Sequence, residues 1–141
     1  FSSSSPKSSL GFGDAGMDLQ ANVKQPHYIY DGETILVPTG ISIALPAAVE
    51  GGYTWELQIR PRSGLALQGI TVLNAPGTID AGYRGEIKVI VHNAGTEPLH
   101  VTPGMRIAQA VLSRAYWINW ELVQELPSTS RNDGGFGSTG N

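Results

Sequence analysis

Residues 53–60, Tyr-Thr-Trp-Glu-Leu-Gln-Ile-Arg, alternate without a break. Tyr53, Trp55, Leu57 and Ile59 fall on one side, and Thr54, Glu56, Gln58 and Arg60 on the other. A period of two puts each set on its own face of a strand. No long stretch repeats its apolar residues every 3.6 positions, so the chain is read as all-β.

Further short strands are expected around this one. Residues 35–37 and 41–45 are β-branched and apolar, with Thr39-Gly40 between them. Ile70–Leu73 is a short apolar run, and Ile87, Val89 and Val91 alternate with Glu86, Lys88 and Ile90. Residues 99–101 and 107–112 add two more, and the aromatic run Trp117–Val123 another. Turn signals recur between them: Asp31-Gly32, Gly51-Gly52, Gly69, Pro76-Gly77, Asn93 to Gly95 and Pro103-Gly104. Many short strands spaced by turns make a sandwich, jelly roll or barrel. One helical turn is expected from Ser63, whose hydroxyl can cap it.

The chain divides into three parts: a flexible Ser-rich start (1–9), a β domain (10–127) and a Gly-rich tail (128–141). Its 141 residues fit one domain, and 40% hydrophobic residues suffice for one core. The net charge of −3 gives no broad nucleic-acid footprint, so neither DNA nor RNA is an expected partner. The absence of Cys excludes disulfides and thiolate metal sites. No apolar run approaches the ~20 residues of a membrane span. The chain begins at Phe1 rather than Met; a removed targeting segment stays open, and a cytoplasmic or other soluble intracellular location is expected.

Five stretches carry chemistry. In Asp14-Ala15-Gly16-Met17-Asp18 two carboxylates stand four apart, on one face if the segment is a strand. Carboxylate oxygens suit Mg²⁺; taken alone, two turn-forming Asp residues beside a Gly are the commoner reading. Arg60-Pro61-Arg62-Ser63-Gly64 joins guanidinium groups, which grip phosphate in a fork, to a possible helix start whose N–H groups attract anions. The bland alternative is a strand end with surface arginines.

Asn74-Ala75-Pro76-Gly77-Thr78-Ile79-Asp80-Ala81-Gly82-Tyr83 reads as a turn-rich loop between strands. Its Asp can act as a general base and its ring can pack on a sugar, or both can serve turn geometry alone. Gly104 to Val111 reads as a strand; Gln109 offers an amide to a phosphate oxygen, although alone the stretch reads better as an ordinary strand with polar outward residues. Arg131-Asn132-Asp133-Gly134-Gly135-Phe136-Gly137-Ser138-Thr139-Gly140 lacks the Lys and the strand–helix context of a Walker A loop. An arm that folds over a ligand would use its Arg for phosphate and its Phe for base stacking. His27, His92 and His100 show no metal-ligand spacing.

Together and in this order, the five stretches resemble the five motifs of the trimeric dUTPase family, from Asp14 to Gly140. PRSGLA, GTIDAGYRGE and RNDGGFGSTG are the specific ones. The resemblance implies a jelly-roll-like β-barrel, a homotrimer with shared active sites, and Mg²⁺-dependent hydrolysis of dUTP to dUMP and pyrophosphate. It implies that motifs one, two and four come from one subunit, motif three from a second and the arm from a third.

By the same resemblance, Asp80 orients and deprotonates the attacking water, and Asp18 holds Mg²⁺ through water. Arg62, Ser63, Gly64 and Gln109 bind phosphates, while Asn74 and the backbone near Gly77 and Ile79 read uracil. Tyr83 lies under the deoxyribose, where a ribose 2′-OH would clash. Arg131, Ser138 and Thr139 contact the γ-phosphate, and Phe136 stacks on uracil. Asp14 falls where many relatives have another small residue, and a supporting role is implied for it.

Two rivals remain. dCTP deaminases share an Ile-Asp-x-Gly element but carry a Glu ten residues after that Asp, where this chain has Ile90. A non-catalytic nucleotide- or partner-binding module would not need every catalytic position filled, as it is here.

Overall fold

The computed structural model describes residues 13–46, 51–135 and 137. Along them run β1 (Met17–Gln20), β2 (His27–Ile29), β3 (Thr34–Pro38) and β4 (Tyr53–Arg60), then the single helical turn α1 (Ser63–Ala66). β5 (Ile70–Val72), β6 (Gly77–Asp80), β7 (Lys88–Asn93), β8 (Leu99–Val101) and β9 (Arg106–Tyr116) follow. The alternating stretch is the spine: β4 pairs antiparallel with β9 over its whole length, from Tyr53↔Tyr116 to Arg60↔Gln109. β1 joins the free edge of β9 and β6 that of β4, giving the order β1-β9-β4-β6. A three-stranded sheet, β3-β7-β5, and a two-stranded one, β2-β8, complete the all-β architecture.

Alternation sorts the side chains. Val89, Val91 and Asn93 of β7 are buried, while Lys88 is exposed and Ile90 and His92 are half-buried. Ile59, Ala110, Leu19 and Ala108 of the four-stranded sheet meet Val89, Val91, Val72 and Ile70 in one core. Each fully buried Val, Leu or Ile side chain among them contributes roughly 1.5–3 kcal/mol, and the alanines less. Asn93, fully buried, donates to the carbonyls of Ile29 (2.9 Å) and Glu97 (2.8 Å) and accepts from Gly95 N–H (2.9 Å). It thereby closes the turn between β7 and β8.

Four local expectations are corrected. Residues 41–46 form no strand: Ile41 and Ile43 do pack against the core, but among the described residues the segment has no ladder partner beyond the bond from Ile87 N–H to Ile41 O. The stretch 117–123 is not a strand either. Trp117 N–H bonds Gly52 O at 2.8 Å in the Gly51-Gly52 turn before β4, and among the described residues no strand pairs with the segment beyond it.

Ser63 is the first helical residue rather than the cap; Arg62 holds the cap position with extended backbone and no side-chain cap bond. The segment after Asn74 is not all loop: Gly77–Asp80 is β6, paired with β4 from Ile59↔Gly77 to Glu56↔Asp80. β2, not read from the sequence, is a three-residue edge whose aromatic and apolar residues follow Pro26. No described helix is long and apolar enough to cross a membrane.

Candidate active site

Three of the five stretches meet at one end of the β4–β9 ribbon. The register aligns Asp18 of β1 with Gln109 of β9, and Gln109 with Arg60 of β4. Just past Arg60 the chain turns, and Arg62 Nε reaches back to Asp18 Oδ1 at 3.2 Å. Arg106 Nε approaches Asp18 Oδ2 at 3.7 Å, and Arg62 Nη1 donates to Arg106 O at 3.3 Å.

Arg106 was not singled out in the sequence. The spacing of Arg106 and Gln109 along β9 says nothing about Asp18 until β1 is paired with β9. Asp14 lies before β1 begins, so the same-face geometry expected for Asp14 and Asp18 does not arise.

Gln109 is held on two sides. Its amide Nε2 donates to Pro61 O at 3.1 Å, and its Oε1 occupies the space that a Cβ on Gly16 would need. In α1 the first bond runs from Ala66 N–H to Arg62 O. The N–H groups of Ser63, Gly64 and Leu65 therefore precede the ladder, as at every helix start. Ser63 and Gly64 are exposed. The corner thus presents two guanidiniums, an amide and the first turn of a helix, which suits a chain of phosphates.

Motif three lies elsewhere. Thr78, Ile79, Asp80, Tyr83, Glu86 and Lys88 line a cleft of about 400 Å³. Asp80 ends β6, is exposed, and its carboxylate has no hydrogen bond or ion pair among the described residues. Tyr83 N–H bonds Asp80 O at 3.0 Å, closing a turn that sets ring and carboxylate side by side. At the other end of β6, the Asn74 amide rests over Gly77, where a Cβ would lie 3.2 Å from Nδ2. A larger hollow of about 550 Å³ lies between α1 and residues 94–98, but Glu97 is its only ionisable lining residue. It carries none of the expected site residues, so the smaller cleft is the candidate.

The two clusters do not meet. From Asp18 to Asp80 the sheet steps across three strand spacings and along four residues of β4, which is on the order of 20 Å in a sheet of ordinary dimensions. Arg131, in the tail, stays local: its Nε donates to Gly134 O, and Gly134 N–H returns to Arg131 O at 2.9 Å. Phe136, Ser138 and Thr139 lie outside the described residues, as does the Ser-rich start.

Among the described residues, no three His, Asp or Glu side chains gather to hold a metal. Mg²⁺ does not require such a cage; it commonly takes one or two carboxylates, several waters and the phosphates of a substrate. Asp18 offers one half-exposed carboxylate beside two guanidiniums that a triphosphate would engage. This donor set fits an ion that arrives with its nucleotide.

A jelly-roll-like subunit with a guanidinium-rich corner and, apart from it, an Asp carboxylate unpaired among the described residues beside a cleft would suit an enzyme that hydrolyses a nucleotide phosphate. The family model described as dUTPase matches residues 5–140. The deoxyuridine 5′-triphosphate nucleotidohydrolase of Rickettsia akari is 58% identical over 127 residues, covering 89% of this chain and 82% of that protein. The chain belongs to the dUTPase family, and it is an enzyme, a nucleotidohydrolase of dUTP.

Two solved structures share its fold. The dUTPase of EIAV aligns with a TM-score of 0.70 at 26% identity, covering 85% of this chain and 92% of that one. The dUTPase of Staphylococcus bacteriophage 80alpha with dUPNHPP aligns at 0.78 and 21% identity, covering 96% and 90%.

Proposed function

We propose that the chain cleaves dUTP to dUMP and pyrophosphate at composite sites of a homotrimer, with Asp80 as the base. The observation that carries this reading is the gap between the phosphate corner around Asp18 and the cleft around Asp80. Neither alone holds both a triphosphate and the group that activates water. Two copies, corner against cleft, complete one site, and a closed threefold ring repeats the contact until every surface is used. The apolar segment beyond β9 supports the same reading. Trp117, Ile118, Trp120 and Leu122 stand 59–100% exposed on a single chain, a surface that isolated subunits rarely leave in water.

In this assembly Asn74 and the backbone at Gly77 and Ile79 read the uracil edge, with no room for a 5-methyl group. Tyr83 underlies the deoxyribose. Arg62, Ser63, Gly64 and Gln109 of the neighbouring corner take the phosphates, and the third chain's tail, residues 128–141, closes over them. Arg131, Ser138 and Thr139 there contact the γ-phosphate and Phe136 stacks on the base.

Asp18, paired with Arg62 and Arg106, is the carboxylate that would hold Mg²⁺ through water once the guanidiniums turn to phosphate. Bound Mg²⁺ would neutralise phosphate charge. Asp80 takes a proton from water aligned with the α-phosphorus; the P–O bond to the β-phosphate breaks, and pyrophosphate leaves with the bond electrons.

The direct experiment is pyrophosphate release from dUTP, dCTP, dTTP and UTP with Mg²⁺, alongside the mass in solution. Release from dUTP alone by a trimer is expected. A stable monomer, or equal rates on dTTP, would refute the reading.

A further inference from the structure

The role proposed for Tyr83 requires its ring to stay still, and the structure contains the fastening. Tyr83 O–H donates to the main-chain oxygen of Glu86 at 2.8 Å. Gly85, between them, leaves the space open: a Cβ there would lie 2.5 Å from the Tyr83 hydroxyl.

Glu86 is in turn held by its side chain. Its Oε2 accepts the N–H of Gly40 at 2.9 Å. Gly40 has a φ of +72°, a conformation that glycine adopts freely and other residues rarely do. The flanking residues are laced together. Thr39 N–H and Thr39 O–H both donate to Ile87 O, at 3.2 and 2.6 Å, and Ile87 N–H donates to Ile41 O at 2.8 Å. Ile87 and Thr39 are both buried, at 1% and 8% exposure.

Glu86 is thus held at two points. The buried Ile87 fixes its C-terminal side, and a charge-assisted bond to Gly40 fixes its side chain. Such bonds are stronger than neutral ones. Glu86 also lines the cleft that holds Asp80 and Tyr83.

We propose that Glu86 is a positioning residue for sugar selection: its bond to Gly40 fixes the peptide oxygen that holds the Tyr83 hydroxyl, and so keeps the ring against the 2′ carbon of the nucleotide. The proposal rests on the reading of Tyr83 as the ring beneath the deoxyribose. With the fastening cut, the ring swings and admits a 2′-hydroxyl.

The test is the ratio of kcat/KM for dUTP to that for UTP, measured on the full chain with Mg²⁺. Glu86→Ala should lower the ratio by about tenfold, the scale of one hydrogen bond to a charged group. Glu86→Gln keeps an oxygen that can accept from Gly40 and should restore the ratio. Tyr83→Phe removes the hydroxyl without touching Glu86, so it keeps the proposal testable should Glu86→Ala fail to fold.

Tyr83→Phe should lower the ratio similarly, and the double variant Glu86→Ala/Tyr83→Phe should be no worse than the worse single one. A purely structural Glu86 would lower Tm in Glu86→Ala and leave the ratio at its wild-type value. That result, with Tyr83→Ala still lowering the ratio, overturns the proposal alone, as does an unchanged ratio in Tyr83→Phe. An unchanged ratio in Tyr83→Ala overturns the reading of Tyr83 itself, and the proposal falls with it.

Discussion

Asp18 and Asp80 stand on the same face of one four-stranded sheet, at diagonally opposite corners. Asp18 is opposite Gln109, Gln109 is opposite Arg60, Glu56 shares the face of Arg60, and Asp80 is opposite Glu56. The other face carries Leu19, Ala108, Ala110 and Ile59 into the core. Both carboxylates therefore look outward, and they stay apart while the sheet keeps its order, with β1 paired to β9, β9 to β4 and β4 to β6.

Mixing two dead variants tests the consequence. Asp18→Ala and Asp80→Asn should each be nearly inactive alone. Equal amounts unfolded and reassembled together should regain about a quarter of wild-type activity, because each site draws the two residues from different subunits and a random ring leaves both intact that often. No recovery in verified mixed trimers would mean that each site is built within one chain.

Asp80→Asn should cut kcat by at least ~10²-fold, the usual scale for loss of a general base. The Asp80 carboxylate has no partner among the described residues, so the fold loses nothing when its charge is removed. Tm and the Kd for a non-hydrolysable dUTP analogue should stay near wild type. Calorimetry beside a pyrophosphate assay checks both, and a Kd weakened as much as kcat would make Asp80 a binding group.

Much of the fold was legible where one residue pattern meets one physical cause. The alternation over 53–60 gave β4, because a half-buried strand needs it. The Trp117–Val123 run carries an equally strong β composition and forms no strand in the single chain. Composition reports how well a residue fits a sheet, not whether a partner strand is present. Residues 41–46 fail for the same reason.

In the site, Asp18, Arg62 and Gln109 were found by motif, and the fold brings them together. Arg106 was missed because its closeness to Asp18 exists only through the β1–β9 register. Local pattern carries no information about such a contact. The separation of Asp80 from the corner likewise depends on strand order, which no stretch of sequence displays.

Asn93→Ala should be costly to the fold and nearly silent in catalysis. Its side chain serves the backbones of Ile29, Glu97 and Gly95, and the residue is fully buried. Removing it strands three polar groups and costs about 2–4 kcal/mol. Urea denaturation should show that loss, with KM for dUTP unchanged at temperatures where the protein stays folded. A neutral effect on stability would mean that water replaces the amide in the turn.

Ending the chain after Ser130 should leave the assembly intact and cripple turnover. The strands and core close without the tail, so sedimentation should still report the wild-type mass. Arg131 is held locally by Gly134 O, and Thr129 and Asn132 exchange bonds of 2.9 and 3.0 Å across the same turn. The turn is thus closed by its own bonds, and Arg131 would exchange one carbonyl for a phosphate on engaging a nucleotide. Loss of that guanidinium, together with the water exclusion that closure brings, should lower kcat/KM by roughly 10²-fold. Arg131→Ala in the full chain should account for part of the fall, because the rest of the tail can still close. Undiminished turnover in the truncated protein would reduce residues 131–141 to a bystander and place the γ-phosphate contacts elsewhere.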